Sequence, residues 1–179
     1  MKKYIIAFFL YLGLSNTGIA QNALDSISFT TLNNSQVNLR SYTGKKIAIV
    51  TIDASNPDTA KLRSYDSLYR HSNLVILGIL VNDFGAAMDT EVLRSLFEDS
   101  IHIGFPVSIV SKGTRGIGQH PLLHWITTSS KKNHYDIDLN EAGESFLISS
   151  KGILYAVFRP GINLSSSFVQ SALNSNPNK

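Results

Sequence analysis

The side chains through which this 179-residue chain could act as acid, base or nucleophile are few: Asp53, Asp58, Asp83 and Glu141, Ser55, and five histidines, with no cysteine at all. A thiolate is the usual side-chain carrier of thiol exchange and of two-electron redox steps, so that chemistry has no nucleophile here. Brought together, the four carboxylates could serve as paired groups for acid–base work or hydrolysis. Asp58 also suits the first turn of a helix, where the dipole favours negative charge, and the others read equally as exposed loop acids. Ser55 has no histidine placed beside it and no G-x-S-x-G elbow around it, so a serine nucleophile finds no support.

His120 and His124 lie four residues apart at the start of a helical pattern opened by Pro121. On one face they could form a metal-binding pair, with His134, Asp136 and Asp138 as the nearest further ligands. Without an HExxH pattern, the plainer reading has His120 capping the helix and His124 in solvent, and no metal is expected. Asp136, Asp138, Glu141 and Glu144 form an acidic stretch without EF-hand spacing, which reads as a solvated loop. Arg115, between Gly113 and Gly116, suggests a mobile glycine loop that lacks the lysine and spacing of a phosphate loop.

The elements that must position these groups alternate in type. Ile27 to Thr30 and Val37 to Leu39 predict a hairpin across Asn33-Asn34-Ser35. Ile47 to Ile52 and Leu74 to Val81 are nearly continuous apolar runs that predict buried parallel strands, joined by a helix carrying Leu62, Tyr65, Leu68 and Tyr69. Asn56 fits the N-cap of that helix, with Pro57 at its first position. A second helix from Asp89 or Thr90 presents Val92, Leu93, Leu96 and Phe97. A third strand is expected over Phe105 to Val110, and a helix from Pro121 presents Leu122, Trp125 and Ile126. Phe146 to Ile148 and Ile153 to Phe158 predict a hairpin, and a last helix near Ser165 to Asn174 presents Phe168, Ala172 and Leu173.

The N-terminus reads as a targeting segment. Lys2 and Lys3 precede an apolar run from Tyr4 to Leu14, and small residues Gly18 and Ala20 place a cut before Gln21, so residues 1–20 are expected to be a secretory signal peptide. Eleven apolar residues fall short of the ~20 that span a bilayer, so no stable membrane insertion is expected. Without the leader, fourteen basic side chains face thirteen acidic ones, a net charge of +1. Bulk charge therefore offers nothing to nucleic acid. The mature chain, 21–175 with a short disordered tail at 175–179, is expected to be one domain in the periplasm or outside the cell, held by packing alone because disulfides are impossible.

Several of these segments, taken in order, resemble the glutathione peroxidase family. Ser28-Phe29 with Val37-Asn-Leu39, Tyr42-Thr-Gly-Lys45, Leu68-Tyr69, Asn82-x-Phe84-Gly85, Phe105-Pro106, Pro121-Leu122 with Trp125, and Phe146-Leu147-Ile148 with Gly152 are similar to that family's successive motifs. The resemblance implies a thioredoxin-like α/β fold: a mixed central sheet flanked by helices, with an N-terminal β-hairpin. It also places Asn56 at the family's cysteine or selenocysteine, Asp83 at its glutamine, and Glu141 and Ala142 at its tryptophan and asparagine. All four catalytic positions are degenerate, so no catalytic residue, cofactor or metal is expected. The chain reads as a non-catalytic binding or interaction protein for an unidentified protein or small molecule. The alternative implied by the resemblance is a peroxidase or oxidoreductase of the oxidative stress response.

Overall fold

The computed structural model describes residues 23–129 and 138–174; the expected leader, the tail, His134 and Asp136 lie outside them. Strands β1 (Ser28–Thr30) and β2 (Gln36–Asn38) form the expected hairpin, with Phe29 opposite Val37. Its turn is closed by Asn34 at φ 62°, a left-handed conformation asparagine tolerates.

The main sheet has the order β4-β3-β5-β6. Strand β3 (Ile47–Asp53) runs parallel to β4 (Val75–Val81), from Ile47 opposite Val75 to Asp53 opposite Val81. Helix α1 (Thr59–His71) makes the crossover between them. Strand β5 (Ser145–Ile148) pairs antiparallel with β3, and β6 (Leu154–Phe158) with β5. A 3₁₀ turn over Leu39–Tyr42 follows β2, and helices α2 (Thr90–Ser95), continued by a π-turn over Leu96–Ser100, α3 (Pro121–Ser129) and α4 (Ser167–Asn174) complete the named elements.

Strands β3 and β4 are buried on both faces, and the two-residue period of a strand divides their side chains between two cores. Ala48, Val50, Ile52, Ile76 and Leu80 pack with Leu62 and Tyr65 of α1, Leu93 and Phe97 near α2, and Val169 and Leu173 of α4. Ile47, Ile49, Val75, Leu77 and Ile79 pack on the opposite face with Phe29, Val37, Leu122, Trp125 and Ile126. Gly78 interrupts the apolar run of β4 because a Cβ there would come within 2.9 Å of Ile52 and 3.2 Å of Phe105 and Val107.

Four local expectations are corrected. Phe105 to Val110 lies along β4 but is not a strand. Pro106 has no N–H to donate, and the Ser108 hydroxyl takes the Leu80 N–H in place of a carbonyl, so only isolated bridges such as Gly78 to Val107 form. Val92 is 49% exposed and does not belong to the apolar face of α2. On α4, Phe168 is 67% exposed and meets Phe158 in a T-shaped contact, while Val169 takes the buried place. Helix α1 begins two residues after Pro57, and its cap is Asp58, whose Oδ1 accepts the Lys61 N–H at 3.0 Å. Asn56 is not the cap.

Candidate functional site

Because β3 and β4 are parallel and β5 and β6 return against β3, one end of the sheet gathers the loop after β3, the loop after β4, the segment before β5 and the residues after β6. A cleft of about 320 Å³ opens among them. The end of β3 contributes Thr51 and Asp53; the loop and start of α1 give Asn56, Asp58, Lys61 and Tyr65; and Phe84, Glu141, Ala142, Gly143 and Pro160 close the remaining sides. Asn56, Asp58, Phe84 and Glu141 are exposed at its mouth. Three of the four positions that the motif resemblance assigns to a catalytic centre, Asn56, Glu141 and Ala142, thus meet in one cleft.

Asp83, the fourth, does not. It sits one residue before Phe84 but turns to the far side, where its carboxylate accepts the Gly113 N–H, the Thr114 N–H at 3.1 Å and the Thr114 hydroxyl. Burial pushes the Asp83 carboxyl up, and the hydrogen bonds from Thr114 and Gly113 outweigh it and hold the group below the usual carboxylate range. The same contacts correct the expectation of a mobile glycine loop. Residues 113–115 are tied by Asp83, by Asp138 accepting the Arg115 N–H at 3.1 Å, and by the Arg115 guanidinium donating to the Thr127 carbonyl.

The walls of the cleft are held by the backbone. Gly143, at φ 93°, donates its N–H to both the carbonyl and the hydroxyl of Thr51 at 3.0 Å, while Thr51 N–H donates to the Glu144 carbonyl at 2.9 Å. Lys61 spans the cleft floor, its ammonium donating to the carbonyls of Gly143 and Pro160 and lying 5.7 Å from the Tyr65 ring centroid. Burial lowers the Lys61 pKa, and Asp58 partly offsets this. Neither Lys61 nor Tyr65 stood out as a site residue in the sequence. The signal present was their i, i+4 spacing, which puts the lysine over the ring on a face otherwise read as core.

Tyr65 is 2% exposed. Its hydroxyl lies toward the Ser145 side chain and the Leu164 N–H without closing a well-formed hydrogen bond to either, and burial raises its pKa. Asp53 accepts from both the N–H and the hydroxyl of Ser55, at 2.8 and 2.6 Å, all through Oδ1. Ser55 is thereby a turn residue, and among the described residues no histidine bonds to it. Asp53, Asp58 and Glu141 do gather at the cleft, as the carboxylate reading anticipated, without Asp83.

The remaining candidates separate. His120 is 3% exposed, and its Nδ1 accepts the Leu122 N–H at 3.2 Å at the start of α3, the capping role expected of it. Burial lowers its pKa to about 4, so it is neutral at physiological pH. His124 is exposed, and among the described residues no three histidine, aspartate or glutamate side chains converge as metal ligands. Glu144 is 4% exposed with one unpartnered oxygen, and burial raises its pKa. Among the described residues, no helix is long and apolar enough to cross a membrane.

No protein-family model and no curated protein matches the sequence. Solved structures do match in shape. The apo form of Trgpx superposes with a TM-score of 0.61 at 18% identity, covering 85% of this chain and 95% of its own. GPX1 of T. cruzi gives 0.58 at 15% identity over 82% and 90%. A thiol:disulfide interchange protein of the thioredoxin family from Chlorobium tepidum gives 0.56 at 16% identity over 84% and 94%. The fold is thioredoxin-like. Peroxidase and thiol–disulfide oxidoreductase structures overlap this chain almost equally well, so the likeness is one of fold and does not single out the glutathione peroxidase branch. At these identities the likeness concerns the backbone, and the chemistry must be read from the site.

Proposed function

We propose that this protein is an exported, non-catalytic member of the thioredoxin-like superfamily, one domain over 21–175, that binds a small molecule or a protein segment in the cleft described above. The observation that carries the reading is Asn56. The motif resemblance puts it where a thioredoxin-like peroxidase keeps its redox-active residue, and it stands exposed at the cleft mouth in a chain with no cysteine. An amide cannot attack a peroxide oxygen. Asp83 and Ala142 fit the same reading, one engaged in holding a loop and the other without a functional group. The cleft retains an open mouth and a volume within the range of small-molecule sites, ~300–1,000 Å³.

Two measurements test this. The purified protein is expected to consume hydrogen peroxide no faster than thiol-blocked serum albumin with glutathione or thioredoxin as reductant. Reductant-dependent turnover that survives metal chelation would return the protein to the oxidoreductases. In addition, a panel of small cationic, neutral and anionic aromatic compounds, screened by amide chemical shifts, is expected to yield at least one class that perturbs residues 53–61 and 141–143. A panel that leaves those amides unmoved would remove the binding role. Export is checked separately by mass spectrometry of the protein recovered from its host, with Gln21 expected as the first residue.

A further inference from the structure

The two ends of the strand order β4-β3-β5-β6 differ in what lies against them. The outer edge of β4 is closed by the segment after Phe105: Gly78 N–H donates to the Pro106 carbonyl at 2.8 Å, Ser108 N–H to the Gly78 carbonyl at 2.9 Å, and Ser111 N–H to the Leu80 carbonyl at 3.0 Å. Strand β6 pairs with β5 on one side, and among the described residues no backbone hydrogen bond is made on its other side. Such an edge presents N–H and C=O groups in the spacing that another strand needs.

Proteins blunt free edges with charge, proline or brevity. The outer strand of the hairpin, β2, has three residues and carries the polar Gln36 and Asn38. Strand β6 reads Leu-Tyr-Ala-Val-Phe, five residues with no charge and no proline. The register shift opposite Leu147 and Ile148 makes Tyr155 an extra residue, which bends the start of β6 and leaves Ala156 to Phe158 in regular pairing. From Ser145 to Asn174 the only charged side chains are Lys151 and Arg159. Helix α4 adds an independent feature beside the same edge. Its Phe168 is 67% exposed and stands in T-shaped contact with Phe158, the last residue of β6, at 6.1 Å between centroids. A charge-poor patch with an exposed aromatic has the composition of an interface core.

We propose that this edge pairs with the same edge of a second copy of the chain, β6 antiparallel to β6 across a two-fold axis, to give one continuous sheet. The placement of charge favours a copy as the occupant. Pairing centred on Val157 sets Ala156 opposite the second copy's Phe158 and Arg159 opposite its Tyr155, so neither Arg159 nor Lys151 meets its own counterpart. The axis stands perpendicular to the sheet and keeps both α4 helices on one face, which brings each Phe168 beside the seam. A two-fold contact of this kind is self-complementary and closes at two copies. It uses none of the cleft residues from Asn56 to Tyr65, so it holds or fails independently of the binding role proposed above.

The contact is small, and interfaces below about 1,200 Å² are weak, so sedimentation velocity over about 5–200 μM protein is the first measurement. A monomer at the low end passing to a dimer at the high end is the expected result. Amide hydrogen exchange at the two ends of that range locates the contact: amides within residues 154–158 that do not bond β5 are expected to slow at least fivefold at high concentration. Phe168→Asp puts a negative charge at each side of the seam, and in the first turn of α4 an acid is favoured by the helix dipole. That variant is expected to weaken the dimer at least tenfold with thermal stability at low concentration unchanged. A wild-type protein that stays monomeric at 200 μM would overturn the inference, as would a dimer whose β6 amides exchange at the same rate at both concentrations. A dimer that Phe168→Asp leaves equally tight would overturn it too, and association running on past two copies would exclude the two-fold pairing.

Discussion

Two loops at the same end of the sheet have gone opposite ways. The loop after β4 is bound up: Asp83 ties residues 113 and 114, and the chain beyond them runs into the buried His120 that caps α3. The loop after β3 keeps Asn56 exposed, and Asp58 spends one oxygen on the helix cap. Both loops hold positions that the motif resemblance assigns to a catalytic centre. Where a degenerate position finds backbone N–H groups within reach, it becomes part of the scaffold. Where it faces an open cleft, it stays exposed. Substitutions in the bound-up loop should therefore register in stability, and substitutions in the open loop in binding.

The largest expected effect is the response of the bound-up side to acid. His120 has a folded-state pKa of about 4 against an ordinary value of 6.5. Between those values the unfolded chain takes up a proton that the folded one refuses, so stability is full above pH 6.5 and falls as pH drops toward 4. The difference corresponds to about 3 kcal/mol. Glu144, whose pKa burial raises, acts in the opposite sense: it favours the folded state at low pH and loses that contribution as pH rises through its folded value. The Asp83 carboxyl is held below its ordinary range, so its contribution is present above the unfolded carboxylate value and is lost only as pH falls through the folded one. Urea unfolding at pH 7.5 and 4.5 measures the sum. His120→Gln, which keeps an acceptor for Leu122, is expected to lose most of the decline between those values. An unchanged decline in that variant would mean that the buried imidazole is not its source.

Next in size is Asp83→Ala. It removes a charged acceptor from two N–H groups and a hydroxyl, one of them the buried Gly113 N–H, and should cost about 2 kcal/mol. Ligand binding in the cleft should be nearly unaffected, because Asp83 faces away from it. A variant as stable as wild type with an altered cleft would reverse the contrast between the two loops.

How far the sequence revealed this arrangement follows from which forces were local. The β-branched run Ile47 to Ile52, the apolar run of β4, and the two hairpins were legible because burial on both faces and turn chemistry are written in adjacent residues. The gathering of Asn56, Glu141 and Ala142 came from motif order and from nothing local. What escaped was decided by contacts distant in the chain. Asp83 looked like a cleft acid until residues 113 and 114, thirty positions on, supplied donors. Phe105 to Val110 looked like a strand until Ser108 diverted the ladder. Lys61 did not stand out at all, because its acceptors lie 82 and 99 residues away.

The smallest effects come from the start of α1, and they separate capping from site residues. Asp58 accepts the Lys61 N–H, so Asp58→Ala should lower stability by about 1 kcal/mol and Asp58→Asn by far less, since asparagine caps equally well. Asn56, two residues earlier, looked like the cap because Asn-Pro is a common way to open a helix, yet the helix starts at Thr59. No hydrogen bond to the Asn56 side chain is made among the described residues, and the residue is exposed, so Asn56→Ala should change stability by less than ~0.5 kcal/mol. Thermal denaturation of the three variants side by side decides between the two residues. A loss for Asn56→Ala as large as for Asp58→Ala would move Asn56 from the cleft mouth into the scaffold, and would leave Glu141 as the only degenerate position with a polar side chain free for a ligand.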